Sequence, residues 1–389
     1  VPTVEFSLAG GSVLLKRLQR SGLLGWVPQN LKNQIVLVVL IAWLPLLVLT
    51  ALNGVALGNK VRIPFLLDLV QYARFMVALP CTIAMGAYIN PRLEKVLNSF
   101  VNGGIVTRKD FSRFETIVAR ARTLTGSMTV ELVLVGLVYT FTSLGLHRDI
   151  SSNVSTWHHF VSSSFMSKAT AGWFLWVSMP LLLFGWLLWM WRLAIWFYVL
   201  LRISRLDLRV VATHPDHVGG LNFVNVGVRR FSLLVFAVSS ILSASIGDEI
   251  LFNGASVRSF ELELTLFFLI CLVVTVGPLL VFTPTLVRAK LGYWGNYGPF
   301  AGKYVQSFDE KWIAHSDYAP ESVLGTPDIQ SLADLQHSYA SISEMRAVLP
   351  NRMTIGIFVL SYVVPAIPLL MSVISLRSIL SELYSLLLK

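Results

Sequence analysis

The chain has two cysteines in 389 residues, Cys81 and Cys271, both inside apolar stretches, so a disulfide framework and a cysteine-built zinc site are excluded. Charge is also scarce: Asp, Glu, Lys and Arg make up 13% of the chain, against about 25% in soluble domains. With 55% hydrophobic residues at this length, the low charge excludes an ordinary soluble protein and points to many membrane passes. Catalytic signatures are missing too. No Walker loop, Gly-x-Ser-x-Gly elbow or His-Glu-x-x-His stretch occurs, and the pair Gly219–Gly220 forms no dinucleotide fingerprint. No cleavable signal peptide is expected. Residues 1–33 are mixed and carry Lys16, Arg17, Arg20 and Lys32, and the apolar run that follows continues for a full span. No internal repeat marks the inverted halves of many transporters.

What is present is grease in long runs. A hydrocarbon core about 30 Å thick needs about 20 apolar residues in a helix. Seven stretches qualify, at 34–57, 63–88, 128–146, 171–200, 231–247, 262–286 and 353–376, the fifth being the shortest. Their length selects helices over barrel strands. The expected fold is an all-α polytopic membrane bundle with cytoplasmic amphipathic helices. The 11 Trp and 23 Phe suit a protein with two membrane interfaces to anchor. With the N-terminus inside, 22 of the 31 Lys and Arg fall in cytoplasmic segments. That bias sets an N-in, C-out topology with the C-terminus periplasmic. It also accounts for the net charge of +10 by contact with anionic headgroups, without nucleic acid. The organisation is then a cytoplasmic segment 1–33, six spans over 34–286 with a cytoplasmic loop 89–126, a cytoplasmic helical region 287–352, and a last span and tail over 353–389.

Both long cytoplasmic segments read as amphipathic helices. In "TRKDFSRFETIVARARTL", Phe111, Phe114, Ile117, Val118, Ala121 and Leu124 form one stripe, and Thr107 with Asp110 resembles a capping box. This helix should lie on the membrane or on a neighbour. Farther on, Tyr297, Phe300, Tyr304 and Phe308 share a face. A second helix starts with Thr326 as N-cap and Pro327 at its first position, and continues with Ile329, Leu332, Leu335, Tyr339 and Ile342 on one side. Internal packing accounts for such stripes, and an oligomer contact is the alternative. A homo-oligomer is expected. The outer loop 147–170, with His147, His158, His159 and the sequon Asn153-Val154-Ser155, reads as solvated. Pro45, Pro64, Pro80, Pro180, Pro278, Pro284, Pro365 and Pro368 interrupt the spans. "VGPLLVFTP" and "VVPAIPLL" are the strongest breaks because each holds two prolines within a turn or two.

Ionisable groups inside spans are costly and mark function or bundle-holding pairs. Asp68, Gln71 and Arg74 are spaced by three and share one arc of the second span. They either line an aqueous or ionic pathway or neutralise another helix. Glu131 in the third span and Arg192 in the fourth lie at similar depth and are placed to pair. The tryptophans 189, 191 and 196 also suit a snorkelling arginine. The loop "ATHPDHVGGL" adds His214, Asp216 and His217. As metal ligands they would need further groups, such as His315, His337 or Asp309. Pro215 holds His214 extended, so the two rings need not share a face. Asp216 is suited to bond its own turn and the glycines to permit left-handed backbone, which reads as a rigid elbow between the fourth and fifth spans.

Taken together, "SRLDLRVVATHPDHVGGL", "KYVQSFDEKWI" and "GTPDIQSLADL" resemble a family of bacterial multi-pass inner-membrane proteins that has no assigned activity. The resemblance covers roughly the second half of the chain. It implies a bacterial inner-membrane location and carries over no site residue. A channel or transporter for ions or small solutes is the preferred expectation. A non-catalytic scaffold or signalling subunit and a membrane-embedded metal-dependent enzyme using the His-Pro-Asp-His loop are the alternatives. No cofactor is expected.

Overall fold

The computed structural model describes residues 17, 19, 21, 25–28, 30–58, 60–151, 157, 165–314 and 326–369, with the backbone alone at 145–151. The expected loop histidines 158 and 159, the sequon, His315 and the C-terminal tail lie outside these residues. Among those described, β-pairing is limited to one isolated antiparallel bridge, Val106 with Leu208.

The helices are α1 (Leu31–Leu52), α2 (Leu69–Asn102), α3 (Phe111–Thr125), α4 (Met128–Ser151), α5 (Phe165–Ile203), α6 (Phe223–Arg229), α7 (Ser232–Asn253), α8 (Glu261–Val276), α9 (Thr283–Trp312), α10 (Pro327–Glu344) and α11 (Arg352–Val363). Six helical segments are long and apolar enough to cross a membrane, and α3 with α4, bent by 45°, makes a seventh if counted as one broken span. On α8, Leu262, Leu266, Leu269, Ile270 and Val273 form an exposed stripe at helical spacing, which suits lipid and not water. An all-helical, multi-pass integral membrane protein is compatible with these features.

The helix α7 is the most enclosed, packed between α2 and α11. By sequence it is the shortest apolar run, because its buried face carries Ser239, Ser240, Ser243 and Gly247 instead of large side chains. Small residues let helices approach closely where lipid removes the hydrophobic drive to associate. A Cβ on Gly247 would lie 3.2 Å from Leu69, and the Ser239 hydroxyl donates to the Tyr362 carbonyl at 2.6 Å. The helix α5 holds the other side, with α1, α3 and α4 against it.

The prolines do not all interrupt spans: Pro45 lies inside an unbroken helix and Pro64 precedes the helix it was expected to break. In α1, Pro45 cannot donate to the Ile41 carbonyl, and the Trp173 indole N–H takes that place at 3.1 Å. Pro80 and Pro180 each follow a π-helical stretch, Ala73–Ala78 in α2 and Phe174–Ser178 in α5, where the Leu79 and Met179 amides reach back five residues to the carbonyls of Arg74 and Phe174. The two proline-pair breaks are 3-10 segments, Gly277–Phe282 and Val364–Ala366.

Some sequence expectations change. The second helix begins at Leu69 and not at 63: Pro64 is extended, residues Phe65–Leu67 make a 3-10 turn, and Asp68 is the N-cap. The helix α9 starts at Thr283, directly after the break, and runs 30 residues through the expected boundary at 287. The capping box at Thr107 is not formed. The Thr107 hydroxyl has no partner, and Asp110 instead accepts the Asp207 amide at 2.7 Å and pairs with Arg113 at 3.2 Å. The α3 stripe packs on α5 through Phe114, Ile117, Val118 and Ala121. Thr326 precedes α10 in extended conformation without a side-chain capping bond.

Candidate functional site

The embedded polar residues gather at two places in the bundle, and the His-Pro-Asp-His loop makes a third. At the N-terminus of α2, Asp68 accepts the backbone amide of Gln71 at 3.2 Å, its side-chain amide at 3.0 Å, and the indole N–H of Trp157 at 2.8 Å. Asp248, near the end of α7, accepts the amides of Leu69 and Val70 at 3.1 and 3.2 Å. Two acids thus share one helix N-terminus, whose unpaired amides and dipole favour negative charge. The two carboxyl groups are therefore neighbours, held by successive amides of the same helix turn. Asp68, Gln71 and Asp248 are all buried, and the Gln71 side-chain oxygen makes no hydrogen bond. The expected arc of Asp68 with Gln71 is therefore a direct contact. Arg74 lies one turn on, half-buried within the π-helical stretch.

Beside the acids is a cavity of about 460 Å³ between α2, α7 and the α11 break. It is almost wholly apolar, bounded by Leu69, Tyr72 and Met76 on one side, by Ser243 and Gly247 on another, and by Pro365. Its volume is in the range of small-molecule sites, about 300–1,000 Å³. The π-helical stretch and the proline break both line it. Each loosens the helix ladder where the cavity opens.

Glu131 and Arg192 are brought together. Both are buried, on the packed pair α4 and α5, and Glu131 acts electrostatically on the guanidinium. Arg192 also stacks over the Trp189 ring at 4.8 Å.

The His-Pro-Asp-His loop lies at the opposite end, between α5 and α6. Asp216 organises it by accepting the amides of Val218, Gly220 and Asn222, each at 3.0 Å, while His214 Nδ1 sits 2.9 Å from its carboxylate. Burial pushes the Asp216 carboxyl up, but the three amides and His214 outweigh it and hold the group below the usual carboxylate range. His217, Gly219 and Gly220 all have positive φ, at 55°, 66° and 92°. This sequence of left-handed residues wraps the chain around the carboxylate. A Cβ on Gly219 would lie 2.0 Å from Val210 Cγ1, so a larger residue there would force Val210 to move. The loop does meet the 287–352 region. The Arg346 amide donates to the His217 carbonyl at 2.8 Å, and His217 Nδ1 is 3.6 Å from Glu344, outside hydrogen-bonding distance. These are docking contacts. Among the described residues no three His, Cys, Asp or Glu converge as a metal site.

Sequence reasoning missed Asp248, which it left in an outer loop, and Trp157. Only the small-residue face of "SSILSASIGDEI" signals that Asp248 ends a helix packed into the centre. It also missed Asn225, which is fully buried. Its amide donates to the Leu349 carbonyl at 2.9 Å, and its oxygen accepts from Thr354 at 3.0 Å. Compared with protein-family models, curated proteins and solved structures, the chain matches none.

Proposed function

We propose that this is a multi-pass transporter of a small amphipathic solute, with Asp68 and Asp248 exchanging the proton that couples the movement. The observation that carries this reading is the juxtaposition of two buried acids on one helix N-terminus with an apolar cavity set between two helix irregularities. Leu69 connects them directly: its amide is bonded to Asp248 and its side chain lines the cavity. A solute that lodges there displaces lipid or repacks α11, and the acids gain or lose a proton as the α2 N-terminus shifts. Glu131 with Arg192 then serves to hold α4 on α5, away from the pathway. The basic end, with the His-Pro-Asp-His loop, is cytoplasmic in this proposal, and the host is a bacterial inner membrane.

The test is pyranine-loaded proteoliposomes under an imposed pH gradient, with ethidium as the amphipathic probe. Wild-type protein should couple ethidium movement to proton movement. Asp68→Asn and Asp248→Asn should abolish the coupling while the protein still reconstitutes. Absence of any protein-dependent movement of ethidium, protons or common ions would count against transport.

A scaffold or signalling role has one observation in its favour. The hairpin α9–α10 is pinned by Lys311 to Asp328 at 2.5 Å, yet leaves Trp294, Phe300, Ile329 and Tyr339 exposed. Loss of a co-purifying partner on deletion of 287–350 would favour that role. The metal-dependent enzyme reading gains no support from the loop, whose Asp216 oxygens are engaged by backbone amides.

A further inference from the structure

A second cavity, of about 280 Å³, lies at the basic end, away from the acid pair. Three separate segments wall it. The end of α2 gives Ser99, Asn102 and Gly103. The bridge segment gives Ile105 and Arg209, and the His-Pro-Asp-His loop gives His214 with Gly219 and Gly220. The walls are tied to one another: the Arg209 amide donates to the Ile105 carbonyl at 2.8 Å, and Val211 and Gly219 pair through the backbone. Phe223, stacked edge-on against Phe100 at 4.9 Å, supplies a rigid floor. Gly103, Gly219 and Gly220 wall it with backbone alone.

The polar groups of this cavity are not consumed by the fold. Among the described residues the Arg209 guanidinium and the Asn102 side-chain amide make no hydrogen bond, and His214 is engaged only through Nδ1. Asp216 holds that nitrogen at 2.9 Å, which orients the ring and leaves Nε2 on the side away from the carboxylate. The Asp216 oxygens are turned into their own loop, where they accept three backbone amides. Arginine presents a planar fork of donors matched to phosphate and carboxylate oxygens. The surrounding loops are rich in Lys and Arg and raise the local concentration of anions.

We propose that this cavity is a binding site for a compact oxyanion, a phosphate group, with Arg209 as the principal donor and Asn102 and His214 Nε2 as the further contacts. Asp216 is a positioning residue that sets the imidazole. The phosphate is supplied either by an anionic lipid headgroup or by a free phosphate. The inference is independent of the transport reading and uses none of its residues.

The experiment uses the full chain. One arm measures saturable stabilisation by inorganic phosphate in neutral detergent. The other measures retention of phosphatidylglycerol by native mass spectrometry, from nanodiscs of phosphatidylcholine with and without that lipid. Binding in the first arm identifies a free phosphate, and binding in the second alone identifies a headgroup. In whichever arm binds, Arg209→Gln should weaken affinity about ten-fold or more, and Asn102→Ala by less. Arg205→Gln, an exposed arginine outside the cavity, should leave it unchanged. Arg209 is exposed, so the ligand-free melting temperature of Arg209→Gln should match wild type and show that the variant is folded. Lack of saturable binding in both arms, or equal affinity for wild type and Arg209→Gln, would overturn the proposal.

Discussion

Replacing Asp216 by alanine isolates what holds the His-Pro-Asp-His loop. The carboxylate accepts three backbone amides at 3.0 Å, and none of these amides has another partner in the loop. Hydrogen bonds to a charged group contribute about 1.5–3 kcal/mol each. The side chain is 13% exposed, so water can reach the emptied position and the lower figure applies. The expected loss for Asp216→Ala is then about 4 kcal/mol. Asp216→Asn keeps one acceptor oxygen and turns an amide group toward the remaining N–H, so it should lose about half as much. For a chain of this length 4 kcal/mol corresponds to a fall in melting temperature of about 5 °C. Cys81 and Cys271 are free thiols within the bundle, and a thiol-reactive fluorophore reads their exposure as the protein melts in detergent. The pH dependence has a definite sign. The Asp216 carboxyl is held below its ordinary value in the folded protein, so its contribution is present above the unfolded pKa and disappears as pH falls through the folded one. The difference between wild type and Asp216→Ala, followed by tryptophan fluorescence, should therefore be constant near neutrality and shrink below about pH 4. An alanine variant that melts within about 1 °C of wild type at pH 7, or a difference that grows on acidification, would refute the reasoning.

Other perturbations separate packing from charge. Gly219→Ala places a methyl 2.0 Å from Val210 Cγ1 at φ +66° and should cost about 2–4 kcal/mol; adding Val210→Ala should recover the steric part and leave the left-handed penalty of about 1–2 kcal/mol. Arg192→Met leaves Glu131 buried opposite an apolar side chain and should cost about 3–5 kcal/mol, while Glu131→Gln combined with Arg192→Met should be milder, a cycle read in the same thermal assay. Asn225→Ala strands the Leu349 carbonyl and the Thr354 hydroxyl and should cost about 2–3 kcal/mol, with hydrogen exchange rising first where α6 meets the start of α11.

Much of the architecture was legible in sequence because it rests on local chemistry. Runs of about 20 apolar residues form helices wherever the solvent supplies no hydrogen bonds. The proline pairs at 278–284 and 365–368 break them, because proline lacks a donor whatever it packs against. The elbow reading of "ATHPDHVGGL" also needed only local rules: a carboxylate that bonds its own turn, and glycines at left-handed positions. Where the expectation went astray, a distant group had intervened. Asp110 is the N-cap of α3 and not the third residue of a box begun by Thr107, and its carboxylate also accepts the Asp207 amide, 97 positions along the chain, at 2.7 Å. The span expected from 63 starts at Leu69 because Asp68, with Asp248 from another helix, terminates it.

The sequence by itself determined the all-helical class, the long apolar segments, the main sites of helix breakage and the turn at His214–Gly220. These follow from the covalent properties of single residues and their nearest neighbours. Only the tertiary structure decided that Asp68 and Asp248 share one helix end and that Asn102, Arg209 and His214 face one cavity. Those meetings depend on which helix faces pack together, and that is set by shape complementarity among small residues such as Ser243 and Gly247. In helices that are apolar all round, such as α1, α7 and α8, hydrophobicity no longer distinguishes one face from another, so periodicity falls silent where packing begins.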